Sequence, residues 1–217
     1  TTFIDSSANS HVITTVGNAS HSIDEKTFGA TSIGSDGNGS YMSVPYSPEF
    51  TYGTGDFTID FWAKGTTTTG NARGYFTYFV DTNNRYTFAN YSNIDFFCNV
   101  GGSSQTAQVT NARDLLWHHY AVVRAGNTLR VYIDGISKVE TTGWTRDINF
   151  SSGTLYIGAR TDNGSDFSTN SEPVYIDEFR ISKGIARWTS NFTPPTRPYS
   201  HELTVDGPRG KLYTVTD

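Results

Sequence analysis

Asp60 and Trp62 stand two residues apart in DFTIDFWAK, an acid and a large ring on one side of an alternating run. A carboxylate beside an aromatic face suits a sugar. The ring's apolar face stacks on aromatic carbon while its hydroxyls pair with carboxylates and amides. Arg130 and Tyr132 repeat that pairing of polar and aromatic side chains in LRVYIDG. Tyr91 and Trp144 are further aromatics, placed in turn-rich stretches. Together these residues form the candidate ligand-binding set.

The same inventory speaks against bond breaking. Retaining glycoside hydrolysis takes two carboxylates about 5 Å apart on one face. The near pairs here are Asp56 with Asp60, four apart, and the adjacent Asp177 and Glu178, which as strand neighbours point to opposite faces. His118 and His119 lie inside a strand-like run and lack a third ligand at zinc spacing. No local motif of a serine or cysteine triad is present. The expectation is a protein that is not an enzyme. The acidic loop Thr161–Asp166 offers Asp162, Asn163 and Asp166 as a minor cation site, although such loops are commonly solvated turns.

The elements that must position these residues are strands. In Leu115–Gly135 two runs rich in β-formers face each other across Ala125-Gly126-Asn127, and Asp134-Gly135 closes the second. Leu129, Val131 and Ile133 alternate with Arg130, Tyr132 and Asp134, which predicts one buried and one wet face. In DFTIDFWAK, Phe57, Ile59, Phe61 and Ala63 share one face and Thr58, Asp60, Trp62 and Lys64 the other. YFTYFVD, RYTFANY and IDFFCNV, separated by Asn83-Asn84 and Ser92-Asn93, read as an antiparallel meander. Further strands are expected at Ile136–Thr142, TLYIGAR and VYIDEFRIS. Residues 101–114 read as a polar connection, and Gly143–Gly153 as a loop that tucks an aromatic down. NFTPPTRP ends regular structure.

Composition agrees with many short strands: 21 Gly, 13 Tyr and 14 Phe among 217 residues. A length of this order suits one undivided β sandwich. A net charge of −5 argues against nucleic acid, which needs a basic face. No apolar run is long enough to span a bilayer, and no charged-then-apolar leader opens the chain. Cys98, the only cysteine, reads as a buried thiol. No helical periodicity of useful length appears. The fold class expected is all-β, an antiparallel two-sheet sandwich.

FGATSIGSDGNGSYMSVP, GTGDFTIDFWAK, WHHYAVVRAGNTLRVYIDG, GTLYIGAR and VYIDEFRISKGIARW follow one another in this chain. In that order they resemble the laminin G-like, or concanavalin A-like, jelly-roll superfamily, in particular modules of phage and bacterial surface proteins. The resemblance covers residues 3–198 and implies a jelly-roll domain over 1–198, with 199–217 as a C-terminal arm or connector. The family's first strand is short or absent here, so the sheet is expected to be completed differently. The resemblance also implies a structural Ca2+ held by Asp36, Gly37 or Gly39 of the glycine-rich bend and by Asp177 of the last strand. Calcium favours hard oxygens of that kind. The alternative for these residues is that Asp36 caps its own turn and Asp177 accepts hydrogen bonds from loop amides.

Function follows as an expectation: a lectin-like module at an extracellular or virion surface, whose partner is a glycan or surface polysaccharide. The other reading is a structural or adhesion domain that docks onto neighbouring virion or surface subunits without binding sugar.

Overall fold

A computed structural model describes residues 2–68, 70, 72–110, 113–167 and 172–199, together with two short strands beyond them. Two antiparallel sheets of seven strands each face one another. The first runs, edge to edge, β1 (Thr14–Val16), β4 (Tyr41–Pro45), β13 (Thr154–Ile157), β6 (Arg73–Asp81), β7 (Asn84–Asn90), β8 (Asn93–Val100) and β9 (Ser103–Thr110). The second runs β12 (Ile136–Thr142), β11 (Thr128–Ile133), β10 (His118–Ala125), β5 (Phe57–Gly65), β14 (Val174–Lys183), β3 (Ser32–Ser35) and β2 (Ser20–Ser22). Strands β15 (Thr204–Asp206) and β16 (Lys211–Tyr213) pair with each other.

Alternation builds the core between the sheets. Phe57, Ile59 and Phe61 on β5 are fully buried, as are Phe76, Phe88 and Phe96 of the opposing sheet. Phe61 is the hub, with the rings of Tyr75, Phe88, Tyr120 and Phe179 between 5.5 and 5.7 Å from its own. Each such ring contributes roughly 1.5–3 kcal/mol through burial. Cys98 lies in this core as expected, and burial pushes its thiol up to about 12.

The central hairpin forms as its sequence predicts: Ala125 pairs with Thr128 around Gly126-Asn127. Asp134 and Gly135 both take positive φ, 51° and 74°, the left-handed pair that a tight turn requires. Three expectations are corrected. Residues 103–110 are not a connection but the edge strand β9, whose Ala107 and Val109 reach the core while Ser104, Thr106 and Gln108 stay exposed. Trp144, a candidate ligand residue, is fully buried against Phe96 at 5.9 Å. The face of β11 expected to be wet carries Tyr132, which has no exposure at all. β2 closes the second sheet beside β3.

Candidate functional site

The predicted residues Asp60, Trp62, Arg130 and Tyr132 do share a face. Asp60 lies opposite Ala121, which lies opposite Tyr132; Trp62 pairs with His119 and Arg130 with Val123. That face is covered by the chain itself. Residues 184–199 cross it, and Trp188 stacks on Phe192 at 3.8 Å above Ala121, Val123 and Tyr132. Phe192 meets the edges of Tyr132 and His119, at 5.3 and 5.7 Å. Hydrogen bonds fasten this strap: Thr58 Oγ1 donates to the Ile185 carbonyl, Tyr132 Oη to the Trp188 carbonyl, and the Phe192 amide to Gly135.

Asp60 anchors the strap's end. Arg180 donates to it through Nε (3.0 Å) and a terminal nitrogen (2.8 Å), and Tyr199 Oη adds a third bond at 2.5 Å. The Arg180 guanidinium lies over the Tyr199 ring, 3.7 Å from its centre. Burial alone pushes the Asp60 carboxyl up. Bonds from His119, Arg180 and Tyr199 outweigh it and hold the group below the usual carboxylate range. Asp60 and Tyr132 are therefore structural, and Trp62 is half-covered, edge-on to Phe28 and His119. Arg130 stays at the margin, paired with Glu140 at 2.9 Å.

The proposed calcium residues are not brought together. Asp36 follows Ser35, which pairs with Val174, whereas Asp177 follows Ile176, which pairs with Ile33. The two carboxylates stand four residue levels apart along the β3–β14 pair, about 13 Å at ~3.3 Å per residue. Each also serves its own loop. Asp177 accepts from the amides of Thr27, Phe28 and Glu178, while Asp36 accepts from Asn18 and the Asn38 amide across a bend whose Gly37 and Gly39 take positive φ. In the acidic loop, Asp166 Oδ1 is filled by Thr161 and the Asp162 amide, and Asp162 is neutralised by two arginines. Among the described residues no group of three or more His, Cys, Asp or Glu side chains is placed to hold a metal ion.

The surface that does assemble recognition chemistry is the outer face of the other sheet. On β8, Ile94, Phe96 and Cys98 point inward, so Asp95, Phe97 and Asn99 point out. Register sets three rows: Ala89–Asp95–Gln108, Thr87–Phe97–Thr106 and Arg85–Asn99–Ser104. Thr87 and Ala89 on β7 are small, Arg85 reaches over Phe97, and β9 sets exposed amide and hydroxyl side chains on the other side of β8, which makes β8 the floor of the candidate trough.

Loop 158–167 forms its wall. The loop sits close because Gly74 lacks a side chain; a Cβ there would lie 2.1 Å from the Arg160 nitrogen. Arg160 covers Tyr91 at 4.5 Å and Arg85 covers Phe97 at 5.0 Å. The Asp162 carboxylate joins the two guanidiniums, 2.6 Å from Arg160 and 3.4 Å from Arg85. Burial and the neighbouring Arg85 charge push Arg160 down from its ordinary value, against the pull of Asp162. Three buried polar atoms of this trough, Asp95 Oδ1, Asn99 Oδ1 and Arg85 Nε, have no hydrogen-bond partner in the protein.

Of the predicted set only Tyr91 belongs here. Asp95 and Asn99 were legible as polar positions alternating with Ile94, Phe96 and Cys98. What the sequence did not show is which sheet's outer face stays open.

Two seven-stranded antiparallel sheets packed face to face define a jelly-roll sandwich. The sequence pattern of the concanavalin A-like lectin/glucanases superfamily matches residues 36–187, and the chain belongs to that superfamily. No curated protein sequence matches the chain. Among solved structures, the binding domain of Paraclostridial Mosquitocidal Protein 1 is similar with a TM-score of 0.63, at 14% identity, over 81% of this chain and 45% of that one. The receptor binding domain of botulinum neurotoxin D gives 0.61 at 12% identity, over 86% and 46%. A botulinum neurotoxin serotype D ligand binding domain in complex with N-acetylneuraminic acid gives 0.61 at 11% identity, over 86% and 44%. The chain thus spans less than half the length of each. At these identities the likeness is one of fold.

Proposed function

We propose that the chain is a non-enzymatic carbohydrate-binding module whose ligand lies along the β7–β9 trough, exposed on a cell or virion surface. The observation that carries this reading is the outward row of β8, Asp95, Phe97 and Asn99, an acid and an amide on either side of a ring that the Arg85 guanidinium covers. A polyhydroxylated ligand pairs its hydroxyls with carboxylate, amide and hydroxyl side chains and lays its apolar ring face on an aromatic. Ser104, Thr106 and Gln108 extend the polar strip at its open side. A structural neighbour described in complex with N-acetylneuraminic acid supports glycans as the ligand class. The non-enzymatic part rests on the acids. Asp162 is held by two guanidiniums, leaving Asp95 without the second carboxylate that glycoside hydrolysis uses.

A glycan array probed with the purified chain tests the reading. Saturable binding that Asp95→Ala removes and Arg130→Ala leaves intact supports it, since Arg130 lies on the opposite sheet. Silence of the folded protein across a broad array, or binding indifferent to Asp95→Ala, sinks it.

A second reading has its own observation. Among the described residues the outer edge of β9 pairs with no strand, an invitation to strand addition by a neighbouring subunit. A chain that stays monomeric at high concentration and binds glycan disfavours it.

A further inference from the structure

We propose a second binding site, for a small amphipathic anion with an apolar body and one carboxylate, in the mouth of the sandwich between the β4–β13 and β14–β3 edges. It is independent of the glycan reading and lies at the other side of the fold.

A cavity of about 490 Å³ opens there, within the roughly 300–1,000 Å³ range of small-molecule pockets. Its floor is apolar, formed by Ile33, Met42, Val44, Leu155, Ile157 and Phe179. Ile33, Phe179 and Ile181 touch the core yet are only partly buried, so the sandwich is not closed at this edge. The N-terminal stretch forms the roof. Phe3 stacks on His21 at 4.1 Å, and Asp5 is tied to His11 at 2.6 Å. One wall is the bulge in β14 between Asp177 and Arg180, where Glu178 takes a φ of 53°. A bulge with a non-glycine residue in the left-handed region is a local cost that folds tolerate beside ligand sites.

Charge at the rim selects the head group. Lys183 donates to the Pro48 carbonyl and Arg187 Nε to Ser182 Oγ, and neither reaches a carboxylate among the described residues. The acids of the lining are differently placed. Asp5 is taken by His11 and its own turn, Glu178 accepts the Tyr199 amide, and Glu49 follows Pro48 on the short 3-10 turn Pro48–Phe50, beside the carbonyl that Lys183 bonds. Arg187 also faces Arg180, whose charge Asp60 already neutralises. Arg187, which lines the cavity, holds the anionic head group, with the apolar body against the floor.

Calorimetric titration of the full chain with decanoate, and separately with decanol, tests the site. The expected result is saturable single-site decanoate binding that raises the Tm. Arg187→Gln should weaken decanoate about tenfold or more, the effect of losing one charge-assisted hydrogen bond, and leave decanol unchanged. Ile33→Trp, which places an indole in the cavity, should abolish both; Ile157→Phe serves if that variant fails to fold. Glycan binding should persist in every folded variant. Absence of saturable decanoate binding by the folded wild-type chain overturns the proposal. Binding that survives both Arg187→Gln and the filling variant also overturns it, as does equal affinity for decanoate and decanol.

Discussion

Removing the Asp60 carboxylate should unfasten the strap and expose how much of the stability it carries. In Asp60→Ala, Arg180 loses both hydrogen bonds to its counter-charge, with only 20% of its side chain exposed, and Tyr199 loses its acceptor. Breaking a buried pair from one side costs about 3–5 kcal/mol, because the orphaned charge stays desolvated. The partial exposure of Arg180 places this case at the lower end, about 3 kcal/mol. For a chain of this size that corresponds to a Tm drop of roughly 6–12 °C. Calorimetry of wild type, Asp60→Ala and Asp60→Ala/Arg180→Met provides the assay. The double variant should recover much of the loss, since no unpaired charge remains. The sign with pH is also fixed. The Asp60 carboxyl is depressed in the folded state, so its contribution is present above the unfolded value of about 3.9 and is lost as pH falls through the folded one. A Tm shift below about 2 °C, or a double variant no better than the single, would refute the view that this network holds the strap.

His118 should give the opposite pH signature. Burial pushes its ring down, but Asp134 at 2.6 Å and Asp114 at 3.0 Å outweigh it and raise the pKa. Its stabilisation is therefore complete below about 6.5 and lost as pH rises through the folded value. With nearly half-exposed carboxylates it should amount to ~0–1 kcal/mol, visible as a difference between wild type and Asp134→Asn in urea melts at acid but not alkaline pH. Gly74→Ala drives a methyl into the Arg160 backbone and should cost about 1–3 kcal/mol while displacing the loop that walls the trough. Glycan affinity should fall with it, and unchanged binding would place the ligand elsewhere. Asp95→Ala removes an unfilled acceptor, so it should abolish glycan binding yet raise the stability of the ligand-free protein by up to about 1 kcal/mol. A clear loss of stability would show that Asp95 has a structural partner.

Period-two alternation made the strands legible. In DFTIDFWAK and LRVYIDG it sorted side chains to the correct face of the correct strand, because alternation is a property of the strand itself. It carries no information on what lies over a face. Ala186, Trp188 and Phe192 come from GIARW and the stretch before TPP, which have no periodicity, yet they bury Tyr132 and close over the sheet that holds Trp62. At Trp144 the tucking loop expected over Gly143–Gly153 does form, and by taking this ring fully into the core it removes Trp144 from the ligand set. β9 escaped notice for a different reason. SSQTAQVT has only two residues that reach the core, and hydroxyl and amide side chains on an edge strand look like a linker. Asp36 and Asp177 failed as a pair because register, not sequence order, decides which residues meet across β3 and β14.

On the proposed reading, the two outer faces divide stability and recognition between them. On the β5–β10–β11 face the carboxylate and hydroxyl are spent within the chain, Asp60 on Arg180 and Tyr199 and Thr58 on the Ile185 carbonyl, while Trp62 Nε1 and His119 Nδ1 have no partner in the protein. On the β7–β9 face the arginines are committed to aromatic rings and Asp162, which fixes their positions, while Asp95 and Asn99 keep acceptors with no internal donor. Groups held rigidly but left unsatisfied lose little entropy on binding and regain a hydrogen bond, which is the arrangement that preorganises a recognition site. The strap makes that arrangement tolerable: by burying the opposite face it supplies the stability against which the open trough's unfilled atoms count.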